Sequence, residues 1–146
     1  MTTLLTGTTS TTGYVLTPDT TGTLVIKTGS GAGTTALTID SSQNATVIGF
    51  IETVFALTGI TPSINPANGT IQTWTLSGAS TPTAASFLAG QSITLMITAG
   101  ANSVTWTSMP VTWVGGVAPT LFTTGITIIV LWKVGTTIYG TLIGNA

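Results

Sequence analysis

The sequence is almost without charged side chains, and it contains no cysteine, histidine or arginine. Its 146 residues include two lysines and three acidic residues, which give a formal net charge of -1. Soluble domains ordinarily carry charge on roughly a quarter of their residues. Because a dissolved monomer normally needs a mixed, charged surface, the composition predicts a chain that covers much of its surface with other chains. We therefore expect an assembly protein.

The missing residue types also exclude several kinds of partner and site. Without cysteine there are no disulfides and no thiolate metal ligands. The isolated Lys27 and Lys133 cannot neutralise a run of phosphates, so we expect no nucleic-acid partner. The longest strongly apolar stretch, residues 126–132, is far shorter than the about 20 residues of a membrane-spanning helix, so we expect no membrane partner. The first residues, MTTLLTGTTSTTG, lack the basic and apolar regions of a secretory signal.

Catalytic groups are scarce as well. A hydroxyl nucleophile needs a base to take its proton, and no histidine is present. Glycoside hydrolysis needs two carboxylates held across one bond, and the chain has only Asp19, Asp40 and Glu52. Asp40 precedes the turn-forming sequence SSQN, which predicts a structural role in a tight turn. No acidic loop has the spacing of an EF-hand. We therefore expect no enzyme, no catalytic residue, no cofactor and no metal.

What the sequence does contain is 36 threonines, 18 glycines and six prolines. Threonine, valine and isoleucine pack well on a pleated surface, and glycine and proline interrupt strands, so the composition predicts an all-β fold. The segment 92–98 alternates apolar and polar residues with period two, and Asn68-Gly69 is a hairpin signal. The only helix candidate is the short segment 52–57. The predicted strands cover residues 13–17, 23–28, 35–39, 45–51, 70–76, 92–98, 103–107, 125–133 and 136–142.

Three regions follow one another along the chain. Residues 1–21 have no clean alternation and no turn that folds them back, so they are predicted to form an extended N-terminal arm. Residues 22–44 are predicted to be a connecting region of short strands and turns. Residues 45–146 contain every aromatic residue except Tyr14, and they are predicted to form a β-sandwich or barrel-like domain.

Several segments resemble known virion proteins. The sequence GTLVIKTGSGAGTTALTIDSSQNATV, residues 22–47, resembles the short strand-turn unit that recurs in tail fibres and other appendages of tailed bacteriophages. INPANGTIQTWTLSG, SITLMITAG, SVTWTSMPVTWVGGVAPTL and TIYGTLIG look like the successive motifs of a β-rich virion module. The resemblance extends over residues 22–144, and its most specific part is the segment rich in tryptophan, glycine and proline. It implies a β fold, an intertwined homotrimer and a place on a virus particle.

Two functions fit this resemblance. The first is a trimeric capsid decoration, or cement, protein on the capsid exterior, which would stabilise the head shell with the major capsid protein or other virion proteins as partners. A chain with room for about one domain favours it. The second is a short tail fibre or receptor-binding protein that recognises a host surface glycan. Under the first hypothesis the arm anchors the protein to the shell through Thr2, Thr3, Leu4, Leu5, Thr6, Thr8, Thr9, Thr11 and Thr12.

The four tryptophans allow two interpretations. Trp74, Trp106, Trp113 and Trp132 could form flat platforms for sugar rings, as a receptor-binding tip would need. Each also lies among threonine, valine and isoleucine, where a large ring usually fills a β core. We expect packing in the core or between chains, and we place the segment 106–119 in the core that orders the domain.

Overall fold

The computed structural model describes residues 21–29, 31 and 33–146, and it shows the all-β fold that the composition predicts. The chain divides into two compact units between Ile51 and Glu52. In the described part of the chain the only helical element is a single 3-10 turn at Pro66–Asn68. The predicted arm lies outside the described residues except for Thr21, and the predicted boundary after residue 44 stays a prediction.

The first unit contains one three-stranded antiparallel sheet. Its strands follow each other in order, and a turn after Ile39 leads directly from the second to the third. None of the described residues between 21 and 51 is buried. The strands are β1 (Leu24–Thr28), β2 (Thr34–Ile39) and β3 (Ala45–Val47).

The second unit contains a six-stranded mixed sheet and a small two-stranded sheet. The six strands lie in the order β4-β6-β8-β10-β11-β9, and β5 pairs with β7. These strands are β4 (Val54–Leu57), β5 (Ser63–Ile64), β6 (Ile71–Thr75), β7 (Thr83–Ala84), β8 (Ser92–Thr98), β9 (Val111–Trp113), β10 (Thr127–Val134) and β11 (Thr137–Asn145).

The N-terminal half of this unit is arranged like a β-solenoid. Strands β4, β6 and β8 stack in parallel along one side. On the other side, Thr81, Thr83 and Ala85 donate backbone hydrogen bonds to the carbonyls of Ile60, Pro62 and Ile64, 2.7–3.0 Å away. Ser80 continues this second ladder, because it bridges in parallel to Val104. Successive coils are thus joined by backbone hydrogen bonds on both sides.

A hairpin closes the C-terminal end of the coils. Strand β10 runs antiparallel to β8, and β11 runs antiparallel to β10. The inward residues of β8 and β10, with Trp74, Ile64 and Met109, form the fully buried core. Period two in residues 92–98 is confirmed, because alternate residues of β8 are buried. The expected sandwich or barrel and the intertwined homotrimer are not confirmed by the structure of one chain.

Two local predictions are wrong. The helix candidate at residues 52–57 contains strand β4, which pairs along its whole length with β6; the apolar Val54 and Phe55 suit a pleated surface. Asn68-Gly69 is not a hairpin turn, because the flanking strands β5 and β6 belong to different sheets. Gly69 instead has φ 151°, and a Cβ there would collide with the Thr53 carbonyl.

Most predicted strands of the described region are present, but with shifted ends. The strand predicted over residues 45–51 ends at Val47, and the one over 103–107 is reduced to the bridge at Val104. Strands β5, β7 and β9 are short and were not predicted. Strands β5 and β7 pair because successive coils lie side by side, and β9 pairs with β11 of the closing hairpin. A local sequence pattern does not reveal these distant partners. The predicted strand over residues 13–17 lies outside the described residues.

A substitution at Gly140 tests how tightly the closing hairpin packs. A Cβ at this position would lie 2.7 Å from the Trp113 ring, 2.8 Å from Val111 and 2.9 Å from Leu131. Because an overpacked core forces side chains off their rotamers, Gly140→Ala should lower the free energy of unfolding by about 1–3 kcal/mol. Urea denaturation measures this change. Gly144→Ala is the control, since a Cβ there meets nothing within 4 Å. Equal midpoints for the two variants would contradict this packing.

Candidate functional site

The predicted shell-anchoring residues, Thr2 to Thr12, lie outside the described residues, so their role stays a prediction. The groups that the structure does place are two of the three carboxylates, the four tryptophans and the exposed strand edges.

Asp40 is the centre of a polar turn. Its Oδ1 accepts hydrogen bonds from the backbone N–H groups of Ser42 and Asn44, each at 2.9 Å, and its Oδ2 accepts one from the Asn44 side-chain amide at 3.0 Å. The Asn44 backbone and side-chain donors, followed by the Ser42 donor, lower the pKa of the Asp40 carboxyl, because they favour its ionised form. The turn role predicted for Asp40 is confirmed.

Glu52 has a different local partner. Its carboxylate accepts a hydrogen bond from the hydroxyl of Thr70, which precedes β6. This bond joins the start of the second unit to the neighbouring coil. Asp40 and Glu52 belong to different units, and Asp19 lies outside the described residues. Within residues 21–29, 31 and 33–146, no three acidic, histidine or cysteine side chains are grouped as a metal site would require.

Three of the tryptophans pack in or against the core. Trp74 is almost fully buried, and its Nε1 donates to the Gly59 carbonyl at 3.1 Å. Trp106 and Trp113 form an edge-to-face pair with centroids 5.2 Å apart at 69°, and Trp113 packs against the core from β9. These rings are structural, since burying a large aromatic surface is the main use of tryptophan in a β core.

Trp132 is placed differently. It lies on β10 between the inward-facing Leu131 and Lys133, so it points to the opposite side of the sheet. Its ring stacks on that of Tyr139, its direct partner on β11, with centroids 5.9 Å apart and planes 18° from parallel. Both rings are partly exposed. They form a small aromatic surface on the outside of the sheet.

The first coil ends in an open strand edge. Strand β4 pairs with β6 on one side, and no described strand of residues 52–146 pairs with its other side. Strand β5 is likewise the outer member of its two-stranded sheet. An open edge presents unpaired N–H and C=O groups that can accept a further strand. The side chains of β4 itself are apolar, and Val54 is 60% exposed.

A shallow cavity of about 250 Å³ opens beside this edge. Its lining includes Phe55 and Leu57 from β4, Pro62 and Ser63 from the second ladder, and Asn68 from the 3-10 turn. Phe55 aligns with the buried Gln72 of the next coil, yet it is 37% exposed, since no described strand of residues 52–146 covers the first coil. The cavity is therefore the exposed end of the core.

The loop beside the cavity is held firmly. The Gln72 Nε2 donates to the Asn65 carbonyl at 2.6 Å and to the Gly69 carbonyl at 2.9 Å. The Asn65 side chain accepts from the Ala67 N–H at 2.9 Å and so caps the 3-10 turn. These bonds fasten the 65–69 loop to β6, whereas the buried Oε1 of Gln72 has no hydrogen-bond partner among the described residues.

Sequence reasoning located the tryptophans and the Asp40 turn but missed the β4 edge. The signal in the sequence was present, since Val54 and Phe55 are typical strand residues following Thr53. The segment is too short for its pattern to identify a strand. Its position at the edge was also hidden, because an edge is defined by the absence of a neighbouring strand and not by a local motif.

Comparisons with known proteins add no assignment: no family model, no curated protein and no solved structure matches this chain. No helix of the described residues is long and apolar enough to cross a membrane.

The Asp40 turn gives a prediction about pH. Because the folded pKa is lowered, the contribution of this carboxylate is present above its unfolded pKa and is lost as pH falls through the folded pKa. Titration of the carboxyl carbon by NMR should show the Asp40 pKa below that of the same residue in a short unstructured peptide. Asn44→Ala removes the side-chain donor, and it should raise the pKa part of the way. A folded-state pKa equal to the peptide value would contradict the turn.

Proposed function

We propose that this chain is a non-enzymatic structural protein of a tailed-bacteriophage particle. Specifically, it is a homotrimeric capsid decoration, or cement, protein on the capsid exterior, where it stabilises the head shell. The open β4 edge supports this proposal most. The chain has few charged side chains that could keep this edge from pairing with another chain. Natural proteins usually protect such edges with lysine, proline or a bulge, and an edge without that protection is suited to pairing with another chain.

The mode of attachment in this proposal is strand addition. An extended peptide that joins a sheet edge gains backbone hydrogen bonds with little demand on its side chains. The arm of residues 2–12, rich in threonine, is the segment that would add to edges on the shell. The β4 edge would take a strand from a neighbouring virion protein, such as the major capsid protein. Threonine suits both contacts, because its methyl group packs while its hydroxyl bonds a neighbour.

A role without catalysis agrees with the available side chains. Asp40 is engaged by three hydrogen bonds in its own turn, and Glu52 is bonded to Thr70. Lys133 donates to the Phe87 carbonyl at 2.7 Å. These three side chains thus have local structural partners, and a general acid or base would have to be found elsewhere.

A second candidate function is a short tail fibre or receptor-binding protein. The partly exposed Trp132–Tyr139 pair is the observation that favours it, because aromatic faces bind the apolar faces of sugar rings. Under this alternative the partner is a host surface glycan and the protein lies on the tail. Binding of the purified protein to host glycans, abolished by Trp132→Ala, would support this alternative over decoration.

The number of copies on the particle distinguishes these functions. A decoration protein is present wherever shell subunits meet, so its copy number should be comparable to that of the major capsid protein. A tail fibre is present as only a few trimers. Quantitative mass spectrometry of purified particles measures this ratio directly. A ratio of only a few trimers per particle would refute decoration of the shell.

Deleting residues 2–12 tests the anchoring role of the arm. The truncated protein should stay folded and oligomeric but should no longer bind undecorated particles, since the strand that joins the shell is gone. Co-sedimentation with such particles measures binding, and circular dichroism checks the fold. Val117→Thr is the control, because Val117 is an exposed loop residue outside the arm. Normal binding by the truncated protein would contradict this role.

A further inference from the structure

The dipeptide Asn68-Gly69 lies at the rim of the cavity beside the open β4 edge. Asn68 is the last residue of the 3-10 turn, and its side chain is exposed and lines the cavity. The chain contains five asparagines, and Asn68 is the only one that a glycine follows. The side-chain amide of an asparagine can react with the backbone nitrogen of the next residue, and glycine has no Cβ to obstruct that approach.

This reaction is deamidation, and it needs only water and hydroxide. Hydroxide takes the proton of the Gly69 backbone nitrogen, which attacks Cγ of Asn68 and closes a succinimide ring. The bond from Cγ to the side-chain nitrogen breaks, and ammonia leaves after taking a proton from water. Water then opens the ring at either carbonyl. One product is aspartate, and the other is isoaspartate, in which the main chain runs through the former side chain and is longer by a methylene group.

The folded turn shields the nitrogen that must attack. The Gly69 N–H donates to the Pro66 carbonyl at 3.2 Å, and the Asn68 N–H donates to the Asn65 carbonyl at 3.0 Å. Gly69 is buried although Asn68 is exposed. A buried donor that loses its acceptor costs free energy. The Gly69 nitrogen therefore keeps its proton in a hydrogen bond and is screened from hydroxide.

The backbone around this nitrogen is also held in place. Ring closure requires the peptide between Asn68 and Gly69 to rotate until its nitrogen faces the Asn68 side chain. The Gly69 carbonyl accepts a hydrogen bond from Nε2 of the buried Gln72 at 2.9 Å. A Cβ on Gly69 would collide with the Thr53 carbonyl, so there is little room for movement on that side. The fold thus opposes the rotation that the reaction needs.

We infer that Asn68 is a deamidation site that the folded first coil keeps closed and that reacts when this coil opens. Local opening is easiest where few neighbours cover the backbone, and no described strand of residues 52–146 covers the outer side of this coil. Because the reaction is irreversible, Asn68 accumulates a chemical record of such openings. This inference goes beyond the proposed function and does not depend on it.

The isoaspartate product would not fit back into the turn. Its extra methylene group lengthens the main chain between residue 68 and Gly69, where the hydrogen bonds to Pro66 and from Gln72 fix the spacing. It also adds a carboxylate to the rim of a cavity whose lining side chains are all uncharged. Chains that deamidate while unfolded should therefore refold with a lower urea midpoint than untreated chains.

Incubation of the full chain at mildly alkaline pH tests the inference, with one sample folded and one unfolded in denaturant. Peptide mapping by mass spectrometry measures the conversion of amide to acid at each asparagine. In denaturant, Asn68 should react fastest. In the folded protein its rate should be lower by at least about tenfold, because only molecules with an open first coil react. Asn68→Gln is the control for the assignment, since its longer side chain closes the ring poorly, and it should remove the signal from this peptide.

Either of two results with the wild type would overturn the inference. One is an Asn68 rate that is equal in the folded and unfolded samples, which would show that the turn gives no protection. The other is an Asn68 that stays unreactive in denaturant, which would show that it is not a deamidation site.

A second variant tests whether the fastened loop gives the protection. Gln72→Leu removes the hydrogen bonds that fasten the turn to β6, and it should speed the reaction of Asn68 severalfold in the folded protein. Asn102, which follows β8, should keep its rate, which separates local opening from unfolding of the whole unit. Gln91→Leu is the matched control, since it removes a glutamine bond to the Leu88 N–H in another loop, and it should leave the Asn68 rate unchanged.

Circular dichroism shows whether each of these variants is folded. A folded Gln72→Leu variant with the wild-type rate at Asn68 would overturn the protective role of the loop. If Gln72→Leu does not fold, the comparison of folded and unfolded wild-type protein decides the inference by itself.

Discussion

The constraint on which the structure depends is the completion of backbone hydrogen bonds across parallel coils. Each coil donates to and accepts from the next, both through β4, β6 and β8 and through the ladder that joins residues 60–64 to 80–85. At the C-terminal end the antiparallel β10 completes β8. At the first coil the described residues of the second unit supply no such strand. The open β4 edge and the exposed Phe55 follow directly from this missing strand, and the outer strand at the other end of the sheet is β9, which pairs only with β11.

The small number of charged side chains leaves this open strand edge with little protection against pairing with another chain. Most solvent-exposed edges are protected by lysine, proline or a bulge, and residues 52–146 have one lysine, which is bonded to the Phe87 carbonyl. The first unit shows the same tendency, because none of its described residues is buried and Val25, Ile26 and Val47 are all exposed. A small sheet without a buried side usually needs packing against another element for stability. The open edge of the second unit and the exposed sheet of the first thus agree with the proposed association with other chains.

The sequence was sufficient for the fold class but not for the arrangement of the strands. Threonine, valine and isoleucine predicted strands, and the alternation in β8 predicted which of its residues are buried. The coils were not predictable in this way, since β5 and β7 contain two residues each and are strands only because successive coils lie side by side. Gly69 illustrates the same limit: beside Asn68 it has the form of a hairpin turn, but its role is to admit the Thr53 carbonyl.

The candidate surfaces were predictable to different degrees. Trp132 was recognised as a possible platform, yet its separation from Trp74 and Trp106 depends on strand register, because a shift by one residue would turn it into the core. The uncharged composition predicted that chains associate. It did not indicate where, because strands that are distant in sequence become neighbours only in the sheet.

Hydrogen exchange at β4 tests the central claim most directly. In the free subunit, the amides of Val54–Leu57 that do not face β6 should exchange rapidly. In the assembled particle the same amides should become protected, because a strand from another chain completes the edge. Mass spectrometry of the peptide that covers β4 measures the difference. Equally rapid exchange in the free and assembled states would show that the first coil stays open, and it would contradict an account in which other chains complete this fold.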